Sequence, residues 1–269
     1  MKEASLTLDN GEIAYRCGGE GPLIVFSHAL GRLAWEPLDD LMRSCTVAIP
    51  EWEHSTVPAR TMGELGWFET LAKSLGFERA TLGAWSMAGP AAIYFAAERP
   101  ACLSHLILVD VAGMGPDLPP LQWKDIPHLV LTKIRGHATR GLVRAMWRNW
   151  VRQEHVDKEP LIEATYRFFR DQANALEDPT AGEDDEDEDD DSLLDELPGI
   201  EVPTLVLSGR YSTVLGPRHG RVATALLPNG EHVIFDESSH SLQLEEPQKF
   251  QKVVAAFVTG GAGGPAGGE

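Results

Sequence analysis

The sequence predicts an α/β protein: a mostly parallel, eight-stranded sheet flanked by helices, with an inserted α-helical cap. Three observations predict it. Short all-apolar runs, as expected of strands buried on both faces, alternate with amphipathic helical stretches. The first two strands read instead as a hairpin around Asp9-Asn10-Gly11. Between residues 113 and 198 the alternation stops and no convincing strand appears.

The elements follow in order. Leu6-Thr7-Leu8 and Ile13-Ala14-Tyr15 flank Asn10-Gly11, a pair suited to the positive φ angles of a tight turn. Leu23–Phe26 is an apolar strand, and Thr46–Ile49 is another, stopped by Pro50. From Met62 to Leu75, Leu65, Phe68, Leu71, Ala72 and Leu75 recur at helical spacing, closed by Gly76. Ala80–Trp85 reads as a strand, Ala91–Glu98 as a helix, and Leu106–Val109 as a strand ending at Asp110. Three helices fit the insertion, near 121–135, 140–155 and 160–176. Thr204–Leu207 and His232–Phe235 complete the strands, and Pro247–Val258 is a closing helix. The predicted organisation is a core of residues 1–112 and 199–259, a helical cap over 113–198, and a flexible Gly-rich tail over 260–269.

Charge is distributed unevenly. Residues 177–201 hold 14 Asp and Glu and no Lys or Arg; removing those 14 carboxylates from the net charge of −18 leaves −4 over the other 244 residues. The chain is thus a near-neutral globule with one acidic segment, whose nine consecutive carboxylates, 183–191, are expected to form a disordered loop. A general nucleic-acid binder would need a positive balance. Cys17, Cys45 and Cys102 are odd in number and far apart, so they form neither a disulfide framework nor a metal pair. Met1–Ser5 is not followed by an apolar signal core, and no apolar run approaches the roughly 18–20 residues that span a bilayer. The expectation is a reduced, soluble, cytoplasmic protein with a small-molecule partner and neither nucleic acid nor membrane; the oligomeric state is left open.

The most informative string is Leu82-Gly83-Ala84-Trp85-Ser86-Met87-Ala88-Gly89, with a strand leading in and a helix leading out. A sharp strand-to-helix turn crowds the backbone, so small residues two before and two after the serine, Ala84 and Ala88, suit it. Such a turn lifts Ser86 Oγ above the sheet, beside a helix N-terminus whose free N–H groups can hold an oxyanion. The usual pattern is Gly-x-Ser-x-Gly; here both glycines are alanine.

With this elbow, the opening hairpin, the turn Phe26-Ser27-His28-Ala29-Leu30-Gly31, the inserted segment and the late histidine in that order, nearly the whole chain resembles the α/β-hydrolase superfamily. The resemblance implies that the string His28-Ala29-Leu30 contributes the N–H of Leu30 to an oxyanion hole, together with the N–H of Met87. One such donor is typically worth about 3–4 kcal/mol in the transition state. It leaves the His28 side chain a structural brace of the turn. Ser239-His240-Ser241, followed by Leu244-Glu245-Glu246-Pro247 and a helix, resembles the family's final signature and implies that His240 is the general base.

The third member departs from the pattern. The family usually carries Asp in a Gly-x-x-Asp string after the penultimate strand; here Gly209-Arg210-Tyr211-Ser212 puts Ser212 in that place. A serine can orient an imidazole but cannot neutralise imidazolium, and losing the acid can cost on the order of 10⁴ in rate. Asp110, at the end of the strand after the elbow helix, faces the same sheet edge, and some family members place their acid there. Asp110 is the expected acid and Ser212 the alternative; Asp236 and Glu237 lie too near His240 along the chain. Glu51-Trp52-Glu53-His54-Ser55 replaces the family's glycine-containing loop; Trp52 and His54 read as the pocket mouth or, in preference, as ordinary loop packing, and Trp52 joins His28 and Trp85 as a candidate pocket residue.

In the insertion, Arg140, Arg144, Arg148 and Arg152 share one helix face, opposite Val143, Met146, Trp147, Trp150 and Val151. The arginines read as a solvated face or as a dock for the acidic run. Trp123, Trp147, Trp150, Tyr166, Phe168 and Phe169 read as an apolar pocket roof or as core of the cap. The function expected is a serine hydrolase of small esters, lactones or related carbonyl compounds acting through an acyl-enzyme, with Ser86, His240 and Asp110 catalytic and no metal or cofactor implied. The alternatives are a non-hydrolytic enzyme on the same scaffold (a cofactor-free oxygenase, lyase or cyclase) and a catalytically degraded binding protein.

Overall fold

The computed structural model describes residues 1–57, 61–111, 139–175, 193–214 and 216–260, with side chains 171–175 left aside. The expected helix near 121–135, Trp123, the acidic run 183–191 and the tail beyond Gly260 lie outside the described residues.

Eight strands form one sheet in the order β1-β2-β4-β3-β5-β6-β7-β8. They are β1 (Lys2–Leu8), β2 (Gly11–Gly18), β3 (Leu23–Ser27), β4 (Thr46–Pro50), β5 (Ala80–Trp85), β6 (Leu103–Val109), β7 (Thr204–Gly209) and β8 (Gly230–Phe235). The β1–β2 and β2–β4 pairs are antiparallel and all the others parallel. The longer helices are α1 (Gly66–Ser74), α2 (Gly89–Glu98), α3 (Arg140–Trp150), α4 (Glu159–Ala175), α5 (Gly216–Leu226) and α6 (Pro247–Thr259). Among the described residues no helix is long and apolar enough to cross a membrane.

The central strands read as continuous apolar runs because each buries side chains on both faces. On one face Val25, Leu82, Leu106 and Val206 meet Phe68 and Leu71 of α1 and Ile93 of α2. On the other, Ile24, Phe26, Ile107, Val109 and Leu205 meet Trp35 and, from α6, Phe250 and Val254. Phe26 stacks on Trp35 with ring centres 4.4 Å apart.

Three local expectations shift. The hairpin closes at Leu8↔Gly11, so Asp9 and Asn10 form the turn and the positive φ falls on Gly11 alone. The helix expected over 62–75 is broken: Thr61–Glu64 and α1 flank Leu65, which has φ +50° and is buried. Gly63 and Gly66 each cost about 1 kcal/mol in a helix interior relative to alanine, so the chain turns where burying Leu65 compensates. Helix α5 was not anticipated; Gly216, Pro217 and Gly220 hide its apolar periodicity.

The parallel registers set the functional edge. Ser27 pairs with Ala84, Trp85 with Val109, Val109 with Leu207 and Gly209 with Phe235. The residues that leave the carboxyl ends of these strands therefore emerge side by side, where ligands bind in open α/β sheets. Over that edge lie α3 and α4, consecutive helices between β6 and β7. Thr139 caps α3 by accepting the Leu142 N–H at 3.2 Å. The helix stops at Trp150, short of the expected 155: Val151 turns to an extended backbone, and Glu245 takes the N–H groups of Arg152 (2.7 Å) and Gln153 (3.3 Å).

Candidate active site

Ser86 follows β5 in a single tight turn, Ser86–Ala88, that runs into α2. Its φ of +53° is a left-handed conformation that costs a serine energy and persists only where the surroundings impose it. The crowding expected at Ala88 falls one residue later: a Cβ on Gly89 would lie 1.9 Å from Val111 Cγ1, so α2 reaches the sheet only because Gly89 has none.

His240 sits in the loop after β8, wholly buried. Its carbonyl accepts Trp85 Nε1–H at 3.0 Å, and the neighbouring N–H groups are held on both sides. The Ser239 N–H donates to Glu245 Oε2 at 2.8 Å and the Ser241 N–H to the Trp150 carbonyl at 3.1 Å. A Cβ on Gly209 would stand 1.8 Å from the Ser239 oxygen, so the end of β7 presses directly on this loop. Held in this way, His240 Nε2 lies 2.9 Å from Ser86 Oγ.

Asp110 leaves β6 with φ +42°, a left-handed angle that aspartate adopts more readily than most residues. It is fully buried. Its Oδ1 is 3.7 Å from His240 Nδ1 and accepts Ser212 Oγ–H at 3.1 Å; Oδ2 accepts the Gly209 N–H at 3.4 Å. Ser212 Oγ in turn accepts the Val214 N–H at 3.1 Å. The structure thus brings Asp110 to the histidine and places Ser212 on the carboxylate. At 3.7 Å the imidazole faces an ionic partner without a formed hydrogen bond, and among the described residues Nδ1 has no hydrogen-bond partner.

A cavity of about 230 Å³ opens over these groups. His28, Leu30, Trp85, Ser86, Met87 and His240 line it from the sheet side, and Met146, Trp147, Trp150, Thr165, Phe168 and Phe169 from α3 and α4. The residues expected at the oxyanion hole and pocket are therefore on its wall, except Trp52, which is not among the residues lining this cavity and takes its other reading, loop packing. Trp52 packs edge-on against Trp67 and lines an adjoining cavity of about 420 Å³ with His54, Glu51 and Arg167. Leu30 needs correction: its N–H is not open but donates to His28 Nδ1 at 3.2 Å. The His28 ring packs 4.4 Å from that of Trp85, and burial beside His240 lowers its pKa to about 3.

A family model for the alpha/beta hydrolase fold matches residues 65–247. The chain belongs to the α/β hydrolase fold family. Similar solved structures include an enol-lactonase from Burkholderia xenovorans LB400 (24% identity, TM-score 0.71), covering 95% of this chain and 100% of that one. A thermophilic esterase from Thermogutta terrifontis (20% identity, TM-score 0.70) covers 97% and 99%. An esterase from Exiguobacterium antarcticum (20% identity, TM-score 0.69) covers 94% and 97%. No curated protein matches the chain.

Within this family fold, two features of the site escaped the sequence reading. Glu245 was quoted only as part of a signature, yet its nearly buried carboxylate accepts three backbone N–H groups and ties the end of α3 to the His240 loop. Burial raises its pKa while those donors lower it. Thr165 and Val214 also line the cavity, and nothing in their local pattern singled them out. On the arginine face, Arg140 bridges to Glu163 at 2.7 Å, Arg144 to Glu159 at 2.9 Å, and Arg152 stacks on Tyr211, while the acidic run expected to meet that face lies outside the described residues. Among the described residues, no group of three or more His, Cys, Asp or Glu is placed to hold a metal ion.

Proposed function

We propose that the chain is a serine hydrolase that cleaves small carboxylic esters or lactones through an acyl-enzyme. One observation carries this reading: the 2.9 Å contact of Ser86 Oγ with His240 Nε2, made at a turn where Ser86 holds a positive φ. Ser86 Oγ attacks the acyl carbon as its proton passes to His240 Nε2, and the carbonyl electrons move onto oxygen. The C–O bond to the leaving alcohol then breaks, and His240 returns the proton to that alcohol. Water, deprotonated by the same histidine, attacks the acyl-enzyme and releases the carboxylic acid and the free Ser86 hydroxyl.

Asp110 orients His240 and balances the imidazolium; a closing of 3.7 Å to hydrogen-bond length suffices, and such contacts are often loose before substrate binds. The N–H of Met87, at the start of the turn into α2, donates to the oxyanion. The cavity volume, about 230 Å³, lies below the roughly 300–1,000 Å³ of drug-sized sites and favours a short acyl group. The lactonase and esterases of similar fold support the same class.

The test is turnover of p-nitrophenyl acetate together with labelling by a fluorophosphonate probe. Both are expected in the wild type and lost in Ser86→Ala; labelling that survives Ser86→Ala refutes the assignment. A non-hydrolytic reaction draws on one observation, that among the described residues His240 Nδ1 makes no hydrogen bond while Ser212 occupies Asp110. In that case His240→Ala abolishes turnover and Ser86→Ala spares much of it.

A further inference from the structure

The donor that the fold would offer from the β3 side is already occupied. The Leu30 N–H points back at its own turn and donates to His28 Nδ1 at 3.2 Å. A backbone N–H can only donate, so Nδ1 is the unprotonated nitrogen and the neutral ring carries its proton on Nε2. Among the described residues that Nε2–H has no hydrogen-bond partner, and His28 as a whole is buried. His28 lines the cavity that also holds Ser86 and His240. The strand register brings it there: Ser27 pairs with Ala84, and the residues that follow, His28 and Trp85, pack their rings 4.4 Å apart, one residue before Ser86.

We propose that the His28 side chain is an oxyanion donor: its Nε2–H, rather than the Leu30 N–H, meets the negative charge that develops on the substrate carbonyl oxygen. The inference rests on the serine-hydrolase reading and adds a catalytic group to it. The Leu30 N–H polarises the imidazole from behind, and the imidazole passes that polarisation to the oxygen, as in any chain of hydrogen bonds in a low-dielectric site. The Met87 N–H supplies the second donor.

Neutrality matters here. An imidazolium beside His240 would oppose the positive charge that His240 takes up when it accepts the Ser86 proton. Burial and the neighbouring His240 keep His28 neutral down to a pH of about 3, so it donates without adding charge. Neutral imidazoles are known to act as electrophiles in this way. The Trp85 ring, packed 4.4 Å away, fixes the plane in which Nε2 points.

The experiment compares wild type, His28→Phe and His28→Gln on p-nitrophenyl acetate and on a trifluoromethyl ketone, which adds to the serine as a charged tetrahedral adduct. His28→Phe is expected to lower kcat about 100- to 1,000-fold, the range for loss of one oxyanion donor, with KM nearly unchanged. It should weaken trifluoromethyl ketone binding by a similar factor. His28→Gln, whose side-chain amide can reach the Nε2 position, should recover at least tenfold of the loss. A His28→Phe enzyme within threefold of wild type in both measurements overturns the proposal, as does a Gln variant no better than Phe. Should His28→Phe not fold, ¹⁵N resonances of the wild-type ring decide: a proton on Nδ1 at pH 7 overturns the proposal, and a proton on Nε2 is the expected result. Failure here is distinct from failure of the hydrolase reading, which would appear as a wild type that neither turns over the ester nor labels at Ser86.

Discussion

Below the 230 Å³ cavity, Ser86, Asp110 and His240 stand at strand ends or in the loop that follows, and backbone contacts hold each one. Above it, α3 and α4 present Trp147, Trp150, Phe168 and Phe169, held mainly by side-chain packing, with the end of α3 alone tied to the His240 loop through backbone groups. A polar floor fixed by backbone geometry has no slack, because a strand end cannot move without its sheet. An apolar roof fixed by side chains can be resized one residue at a time. The difference teaches that floor substitutions should act on kcat, and roof substitutions on stability and on which acyl group fits.

The largest effect expected lies in the floor. Asp110→Asn keeps the shape but removes the charge facing His240, and kcat should fall about 10³- to 10⁴-fold. Ser212→Ala should leave kcat within a few-fold of wild type, because Ser212 binds Asp110 Oδ1 and the Val214 N–H while the charge facing His240 stays in place. If Ser212→Ala proves the more damaging of the two, Ser212 rather than Asp110 orients the base. Steady-state kinetics of both variants on one ester decide the matter.

The roof has one buried fastening. Trp147 is fully buried, and its Nε1–H donates to Thr165 Oγ1 of α4 at 3.0 Å. Trp147→Ala should cost about 3–5 kcal/mol, the range for removing a large aromatic from a core. Hydrogen exchange would locate the loss: amides of 139–170 should lose protection before those of β5 and β6. Uniform loss across the sheet would show that roof and floor unfold as one unit and would blur the contrast.

How much of this was legible in the sequence follows the same division. The strand ends were readable, because Leu23–Phe26, Ala80–Trp85 and Leu106–Val109 are apolar on both faces and each strand stops at a recognisable residue. Ser86 and Asp110 follow the last two of those stops, and His240 came from the resemblance of Ser239–Pro247 to the family's final signature. What stayed open or failed was decided by contacts between distant parts of the chain. Trp52 packed on Trp67, the Leu30 N–H found His28, and Glu245 took N–H groups just past the end of α3. No local period encodes such pairings.

A middle-sized effect comes from His28, the buried imidazole of the floor. Its pKa is about 3 in the folded chain, against about 6.5 when exposed. Between those values the unfolded chain binds the extra proton, so stability is full above pH 6.5 and declines as pH falls toward 3. The decline is at most about 1.4 kcal/mol per pH unit from this group. Urea midpoints of wild type and His28→Gln at pH 7, 5.5 and 4.5 should converge as acid is added; parallel curves would remove His28 as the source.

Resizing the roof gives a smaller and more selective change. Trp150 packs 5.4 Å from the His240 ring without bonding to it through its side chain. In Trp150→Ala the preferred p-nitrophenyl ester should lengthen by one or two methylenes, each worth roughly tenfold in kcat/KM. A uniform fall across acetate, butyrate and hexanoate would place Trp150 with the floor, as a support of His240.

The smallest effect expected belongs to the roof's visible charges. Arg140–Glu163 and Arg144–Glu159 join α3 to α4 at 2.7 and 2.9 Å, and all four side chains are exposed to water. Exposed pairs gain little, because water screens the attraction and two long side chains lose freedom to form it. The helices already share Trp147, Val143, Ile162 and Phe169 in their core, and that burial holds them without help from charge. The double variant Arg140→Ala/Arg144→Ala should therefore melt with wild type in 0.15 M salt, and the ester preference should not move. A melting loss equal to that of Trp147→Ala would mean that charge, not packing, fastens the roof. The contrast would then have to be redrawn, with a salt-sensitive lid over a salt-indifferent floor.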